Sequence, residues 1–327
     1  MNNLNKKPLV IITGPTGVGK TDISIDIAKK INGEIISADS IQIYKYMDIG
    51  SAKITKEEMD GIKHYLVDEL NPDEEFNVYM FKTMSKRAME EIYAKGKIPI
   101  IVGGTGFYIQ SILYDIEFSD EEEKDDSIRK KYEQLAKEKG NLYVHKLLEE
   151  VDKESADSIH ENNLKRVIRA LEYFEVNHEK ISVHNSREAS KKSPYNFVYF
   201  VLNRQRDVLY ERIDKRVDMM IEQGLVNEVK NLLNLGYMPD LVSMQGLGYK
   251  EIVAYLNGEY TLDEAVEIIK RDTRHFAKRQ LTWFRREKEV TFMNYEDYGN
   301  DKGLVSNAMV EIMHKKAIID NLSLIHI

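Results

Sequence analysis

The sequence predicts an α/β fold: a P-loop NTPase-like parallel sheet flanked by helices, with an all-helical insertion and a helical C-terminal part. Three observations carry that prediction. Residues Gly14-Pro15-Thr16-Gly17-Val18-Gly19-Lys20-Thr21 fill every fixed position of the phosphate-binding pattern G-x-x-x-x-G-K-[ST], between an apolar run and a helical pattern. Short apolar runs alternate with helical stretches on both sides of the middle of the chain. From 119 to 193 the pattern turns helical and charged, with no convincing strand. The predicted organisation is a core built from 1–118 and 194–320, interrupted by an insertion at 119–193. Residues 321–327 read as vector or adaptor read-through and stand outside the predicted fold.

The first element is a buried strand from Pro8 to Ile12 that delivers the loop. Gly14, Gly17 and Gly19 let the backbone curl so that several N–H groups converge on phosphate oxygens, helped by the positive end of the next helix. Lys20 adds a mobile charge, and Thr21 offers a hydroxyl to Mg²⁺. Ile23, Ile27, Ala28 and Ile31 then fall at helical spacing, and Asn32-Gly33 ends that helix. Glu34 to Ala38 reads as a strand whose end presents Asp39; pairing with the first strand would put Asp39 at the loop's edge of the sheet. His64 to Val67 is a further strand candidate. A helix capped by Asn77 buries Met80, Phe81, Met84 and Ala88 and stops at Gly96. Ile98 to Val102 is a buried strand ending in Gly103-Gly104-Thr105-Gly106.

In the insertion, 131–139 and 164–174 are helical, and 182–193 is a polar, basic loop. A strand returns at Phe197 to Leu202, followed by helices over 208–223, 226–235 and 250–256. A long helix runs from the capping box Thr261-Leu262-Asp263-Glu264 to about Arg286, and Val290 to Met293 forms a final edge strand.

Composition narrows the function. No stretch is long and apolar enough for a membrane helix, and the N-terminus has no signal-peptide pattern, so the expectation is a cytoplasmic protein. It is expected as a monomer. The absence of cysteine excludes disulfides, thiolate nucleophiles and Cys-based zinc sites, leaving oxygen-bound metals such as Mg²⁺. A net charge of -8 argues against a generic nucleic-acid coat. Yet between Lys270 and Lys288 eight basic residues face only Asp272 and Glu287, a local excess of six positive charges suited to a polyanion. The opposite run, Glu117 to Asp126, lacks a metal-ligand pattern and reads as a solvated loop.

Several residues can carry chemistry. Asp39 at a strand end beside phosphates can hold Mg²⁺ through water or take a proton from a nucleophile; its plainer reading is a turn cap. Gln42 offers an amide of the kind that pairs with adenine. Thr105 sits in a glycine-flanked turn, where motor and GTPase-type enzymes place an acid; that speaks against hydrolysis and leaves kinases and other transferases. Arg212 and Arg216, four apart on one helix face, either clamp a diphosphate or make surface salt bridges with Glu211, Asp214 or Asp218. Lys165, Arg166 and Arg169, and the basic face of the long helix with Lys278 and Arg279, suit a nucleic-acid backbone or serve as solubilising charge. Trp283 and Phe284 read as core anchors.

Taken in order, the loop, Ser37 to Tyr44, Gly50-Ser51-Ala52-Lys53, His64 to Asp68, Gly103 to Tyr108, Arg166 to Glu172, Met244 to Glu251 and Thr273 to Gln280 resemble the bacterial tRNA dimethylallyltransferase family, across about residues 8 to 295. The resemblance implies transfer of a dimethylallyl group from dimethylallyl diphosphate to N6 of adenine 37, beside the tRNA anticodon, with Mg²⁺ held at Thr21. It implies Asp39 as general base and Thr105 at the reacting region. Asp39, Ser40, Ile41 and Gln42 would read the adenine, while the loop and an arginine hold the diphosphate. Arg129, Lys165, Arg166, Arg169, Gln245, Lys278 and Arg279 complete the implied tRNA contacts. Glu161 stands where relatives are expected to carry proline. The loop alone would fit an ATP-binding kinase, and a free-adenylate prenyltransferase would share Asp39 but lack much of the C-terminal half. A noncatalytic RNA-binding protein has no use for Lys20, Thr21 and Asp39 together.

Overall fold

The computed structural model describes residues 6–118 and 127–319. Six strands, β1 (Pro8–Thr13), β2 (Gly33–Ala38), β3 (His64–Tyr65), β4 (Ile98–Gly103), β5 (Asn196–Asn203) and β6 (Val290–Asn294), form one sheet in the order β3-β2-β4-β1-β5-β6. Every pairing is parallel. All strand C-termini therefore lie at one edge, where helix N-termini and loops converge. Leu9, Val10, Ile11 and Ile12 of β1 are fully buried, as a central parallel strand covered on both faces requires.

β1 and β2 are not neighbours, contrary to the pairing expected for the β-α-β unit. The intervening helix α1 (Lys20–Lys30) carries the chain across two strand spacings, roughly 10 Å, and β4 fills the gap. Asp39 still arrives at the loop's edge, because Ala38 and Thr13 both stand opposite Gly103. β3 stops at Tyr65, short of the expected Val67. Leu66 and Asp68 take positive φ, and the Leu66 N–H donates to Glu69 (2.7 Å), which ends the ladder.

Helix α2 (Val78–Ala94) is capped as expected, with Asn77 Oδ1 accepting from the Met80 N–H at 3.0 Å. Its buried stripe is Phe81, Ser85, Ala88, Met89 and Ile92; Met80 and Met84 are only half-buried, so the stripe is turned relative to the expected one. The short helix α3 (Gly106–Leu113) follows β4 and was not foreseen.

By its contacts the chain divides into two compact units, Met1–Ile112 with Pro194–Ile327, and Leu113–Ser193. The second unit holds α4 (Ser127–Lys139), α5 (Asn141–Val151), α6 (Lys153–Ser158), α7 (Leu164–Asn177) and α8 (Ile181–Ala189) around Val144, Leu148, Val167, Ile168 and Leu171. The polar stretch expected to be a loop at 182–193 is thus helical as far as Ala189. Asp152 explains why: its carboxylate accepts from the Ser155 N–H at the start of α6 (3.2 Å) and from the Ser182 N–H at the start of α8 (3.0 Å). Of the acidic run, residues 119–126 lie outside the described residues, and Glu117 pairs with Lys191 at 2.9 Å. The terminal residues 321–327 likewise lie outside them.

The first unit continues with α9 (Arg206–Glu222), α10 (Leu225–Asn234), α11 (Tyr249–Leu256) and α12 (Leu262–Phe284), the last opened by the reciprocal Thr261–Glu264 capping box. β6 is the edge strand beside β5. A further helix, α13 (Lys302–Lys315), was missed although its signals are in the sequence. Asp301 caps it by accepting from the Leu304 N–H (3.0 Å), and Val305, Met309 and Met313 form its buried stripe. Among the described residues, no helix is long and apolar enough to cross a membrane.

Candidate active site

Gly14, Gly17 and Gly19 of the phosphate loop all take positive φ (145°, 80° and 102°), which explains the glycines and leaves α1 opening on the loop. Pro15 and Val18 are buried beneath it. Lys20 folds back over the loop, its Nζ donating to Gly14 O (3.0 Å) and Pro15 O (3.1 Å). Burial and the nearby Arg216, opposed by Asp39, bring its pKa down to about 8. Such a crowded cation gains most from a bound anion. Thr21 is exposed at the first turn of α1, and its hydroxyl has no protein partner among the described residues. No cluster of three or more His, Asp or Glu that could hold a metal occurs among those residues. What the loop offers is the Thr21 hydroxyl, an oxygen of the kind Mg²⁺ takes.

Asp39 follows β2 directly. Its Oδ1 accepts from the Ile41 and Gln42 N–H groups (2.9 and 3.3 Å), while Oδ2 has no hydrogen-bond partner among the described residues. The turn-cap and the base readings thus fall on different oxygens of one carboxylate. Across from it, the Thr105 N–H donates to Ala38 O (3.3 Å), so Thr105 and Asp39 are brought together through the residue between β2 and its loop. Gly103 explains the missing acid at the end of β4. A Cβ there would lie 2.2 Å from Ala38 O, leaving no room for any side chain.

The Gln42 amide is engaged within the protein: Oε1 accepts from Ser37 Oγ (3.2 Å), and Nε2 donates to Ser51 O and Ala52 O (both 3.3 Å). It shapes the loop after β2. Glu228 completes that shaping, its carboxylate accepting from the Asp48, Ile49 and Gly50 N–H groups (3.0, 2.7 and 3.0 Å) and from Tyr249 Oη (2.8 Å). Ile41 is half-buried, Ser40 is exposed, and Ile41 packs against Gly246, so this loop adjoins the turn bearing the exposed Gln245.

The two readings of the arginine pair separate on α9. Arg212 Nε donates to Gly17 O (2.8 Å), which turns it toward the phosphate loop, and the positive charge of Arg216 helps to lower the Lys20 pKa. The acids proposed as their alternative partners are engaged elsewhere. Asp214 takes both contacts from Arg274 of α12 (2.6 and 2.8 Å), Asp218 takes Lys270 (2.6 Å), and Glu211 takes Lys215 (2.7 Å). The basic helix is consequently divided. Its first half is tied to α9, while Lys278 and Arg279 are exposed with no ion-pair partner among the described residues. Trp283 is half-buried and Phe284 fully buried.

In the second unit, Lys165, Arg166 and Arg169 are exposed on α7 without an ion-pair partner among the described residues, whereas Arg129 pairs with Glu172 at 2.9 Å. Glu161 lies in the turn ahead of α7, closed by the Asn163 N–H donating to His160 O (2.8 Å). Three residues with no role in the sequence reading also brace the phosphate loop. Arg204 donates to Val18 O (3.1 Å) and stacks 3.5 Å over the Tyr295 ring, and Gln280 accepts from the Thr16 N–H (2.9 Å). Gln280 was detectable as a lone polar residue on the apolar stripe Ala277, Gln280, Phe284 of α12. Arg204 carries no comparable signal.

A parallel α/β core with a phosphate loop, a strand-end carboxylate and a glycine-rich second turn that carries Thr105 in place of an acid defines a phosphate-handling transferase of the P-loop class. A family model described as IPP transferase matches residues 42–287. The chain is 58% identical over 313 residues to a tRNA dimethylallyltransferase of Lachnoclostridium phytofermentans, covering 96% of this chain and 99% of that one. It is 54% identical over 301 residues to one from Acetivibrio thermocellus, covering 91% and 95%. Among solved structures it is similar to the tRNA isopentenylpyrophosphate transferase of Bacillus halodurans, with a TM-score of 0.70, 40% identity, and 95% of this chain and 98% of that one covered. A eukaryotic dimethylallyltransferase acting on tRNA gives a TM-score of 0.79 at 28% identity, covering 93% and 78%. The chain belongs to the IPP transferase family.

Proposed function

We propose that this protein transfers a dimethylallyl group from dimethylallyl diphosphate to N6 of adenine 37 in tRNA and releases diphosphate. The observation that carries the reading is Asp39. One carboxylate oxygen holds the turn and the other is uncommitted, on the same sheet edge as the phosphate loop and beside Thr105. An N–C bond forms between N6 and the allylic carbon, the C–O bond to diphosphate breaks, and Asp39 Oδ2 accepts the N6 proton. Lys20, Arg212, Arg216 and the loop N–H groups neutralise the departing diphosphate, which an aromatic amine is too weak a nucleophile to displace unaided. Mg²⁺ at Thr21 would add charge neutralisation on the same oxygens. Adenine 37 lies in a loop, so it enters the site without breaking a duplex. Lys278 and Arg279 supply exposed charge for the tRNA backbone, as do Lys165, Arg166 and Arg169, and Gln245 lies on the turn adjoining Ile41.

The test is incubation with dimethylallyl diphosphate and unmodified tRNA, followed by mass analysis of the nucleosides. N6-dimethylallyladenosine is the expected product. Its absence, with ATP turnover in its place, would establish a kinase instead.

A further inference from the structure

We propose that Gln280 is a positioning residue for the transfer, a two-ended side-chain bridge that sets the separation between the phosphate loop and the turn carrying Thr105. The side chain reaches from α12 into the sheet edge and is 6% exposed. Its Oε1 accepts from the Thr16 N–H at 2.9 Å, and its Nε2 donates to Gly104 O at 3.1 Å. These partners fix the orientation of the amide, since a backbone N–H must meet oxygen and a carbonyl must meet NH₂.

The place of the bridge gives it its role. β1 and β4 are held together by ladder hydrogen bonds only as far as the Thr13–Gly103 pair. Beyond that pair the two chains diverge, one into the phosphate loop and the other into the Thr105 turn. Gln280 is the next link between them. Gly104 is what admits the amide, because a Cβ there would lie 2.2 Å from Gln280 Nε2. One turn further along α12 the fit repeats: a Cβ on Gly106 would lie 2.1 Å from Trp283 Nε1. The Gly-Gly-Thr-Gly turn is seated on one face of α12, and Gln280 is the residue of that face that also grips the phosphate loop.

The inference rests on the prenyl-transfer reading, in which the loop holds the diphosphate and the Thr105 turn faces the acceptor. Bond formation needs the amine and the allylic carbon about 3–3.5 Å apart, so an error in loop separation is passed directly to the reacting distance. Gln280 contacts backbone on both sides, and the Thr16 N–H that it occupies is thereby taken from the diphosphate, so its loss leaves the charged groups Lys20, Arg212 and Arg216 in place. Its loss is therefore felt in kcat and not in KM.

Gln280→Leu keeps the volume and removes both hydrogen bonds. The expected result is a fall in kcat of about tenfold or more, with KM for dimethylallyl diphosphate and tRNA affinity within about threefold of wild type. Gln280→Glu separates positioning from packing and serves also where the leucine variant does not fold. As a neutral acid it can still accept from Thr16 and donate to Gly104 O; as a carboxylate it cannot donate and faces a carbonyl. Burial favours the neutral form, so activity relative to wild type rises as the pH is lowered. A folded Gln280→Leu protein with unchanged kcat, one whose loss lies wholly in KM, or a Gln280→Glu profile parallel to wild type overturns the proposal. A wild-type protein that forms no prenylated tRNA overturns the parent reading together with this one, whereas active wild type with indifferent variants overturns the Gln280 role alone.

Discussion

The two oxygens of Asp39 do different things, and an asparagine can tell them apart. Asp39→Asn keeps an acceptor for the Ile41 and Gln42 N–H groups but carries no basic oxygen. It is expected to melt within a few degrees of wild type and bind tRNA within a few fold, while transfer falls by roughly 10²–10⁴. Retained turnover would reduce Asp39 to a cap. Lys20 sets a pH limit of a different kind. Its pKa of about 8, lowered by burial and Arg216, means that the free protein loses this cation above that pH. An anion binds the protonated form, so KM for dimethylallyl diphosphate should climb as the pH passes 8, and a steady-state profile in the diphosphate substrate would show it. Both residues could be singled out from the sequence because their motifs encode the local geometry. The bond from Gln280 to Thr16 could not, since it joins residues 264 positions apart and depends on how α12 packs.

At the scale of elements, the sheet edge opposite the site carries its own electrostatic device. Glu34 of β2 is 4% exposed and accepts from Lys95 Nζ (2.9 Å), Lys97 Nζ (2.8 Å) and Tyr65 Oη (2.9 Å). Burial opposes its charge, but the hydrogen bonds from Lys97, Lys95 and Tyr65 outweigh it and bring the pKa down to about 2. A depressed carboxylate stabilises the fold above its unfolded pKa, and that stability is lost as the pH falls toward the folded value. Urea midpoints should therefore decline for wild type between about pH 4.5 and 2, and decline less for Glu34→Gln, whose side chain does not titrate. Strands with unbroken apolar runs, such as β1, β4 and β5, were legible in the sequence. The placing of β4 between β1 and β2 was not, because hydrophobic patterning reports burial and says nothing of which buried strand lies beside which. α8 was misread for a related reason: its polar residues become helical through Asp152, thirty positions upstream of Ser182.

For the whole molecule, the charge balance is the quantity that matters for a polyanionic partner. The net charge is -8, and the first half of α12 spends its cations on Asp214 and Asp218. In the proposed reading, tRNA binding would rest on exposed cations without an ion-pair partner among the described residues, Lys278 and Arg279 among them. Replacing both by alanine should weaken tRNA binding and flatten the plot of log affinity against log salt by about one to two units of slope, with KM for dimethylallyl diphosphate unchanged. An unaltered salt slope would remove these two from the interface. The count of basic residues, read from sequence, overstated this surface because it could not see which cations already had partners.

The phosphate loop lies within the first twenty-one residues, yet it is braced by Arg204, Arg212 and Gln280, with Tyr295 under Arg204. Its strand, β1, takes its two neighbours from residues 98–103 and 196–203. During synthesis the motif leaves the ribosome well before the strand and helices that flank and clamp it, β5, α9 and α12. A nascent or truncated chain ending ahead of α12 carries all the letters of the motif without the last of its clamps. Possession of the motif and possession of a braced loop are therefore separate properties of this chain, the second requiring residues as far along as Gln280 and Tyr295.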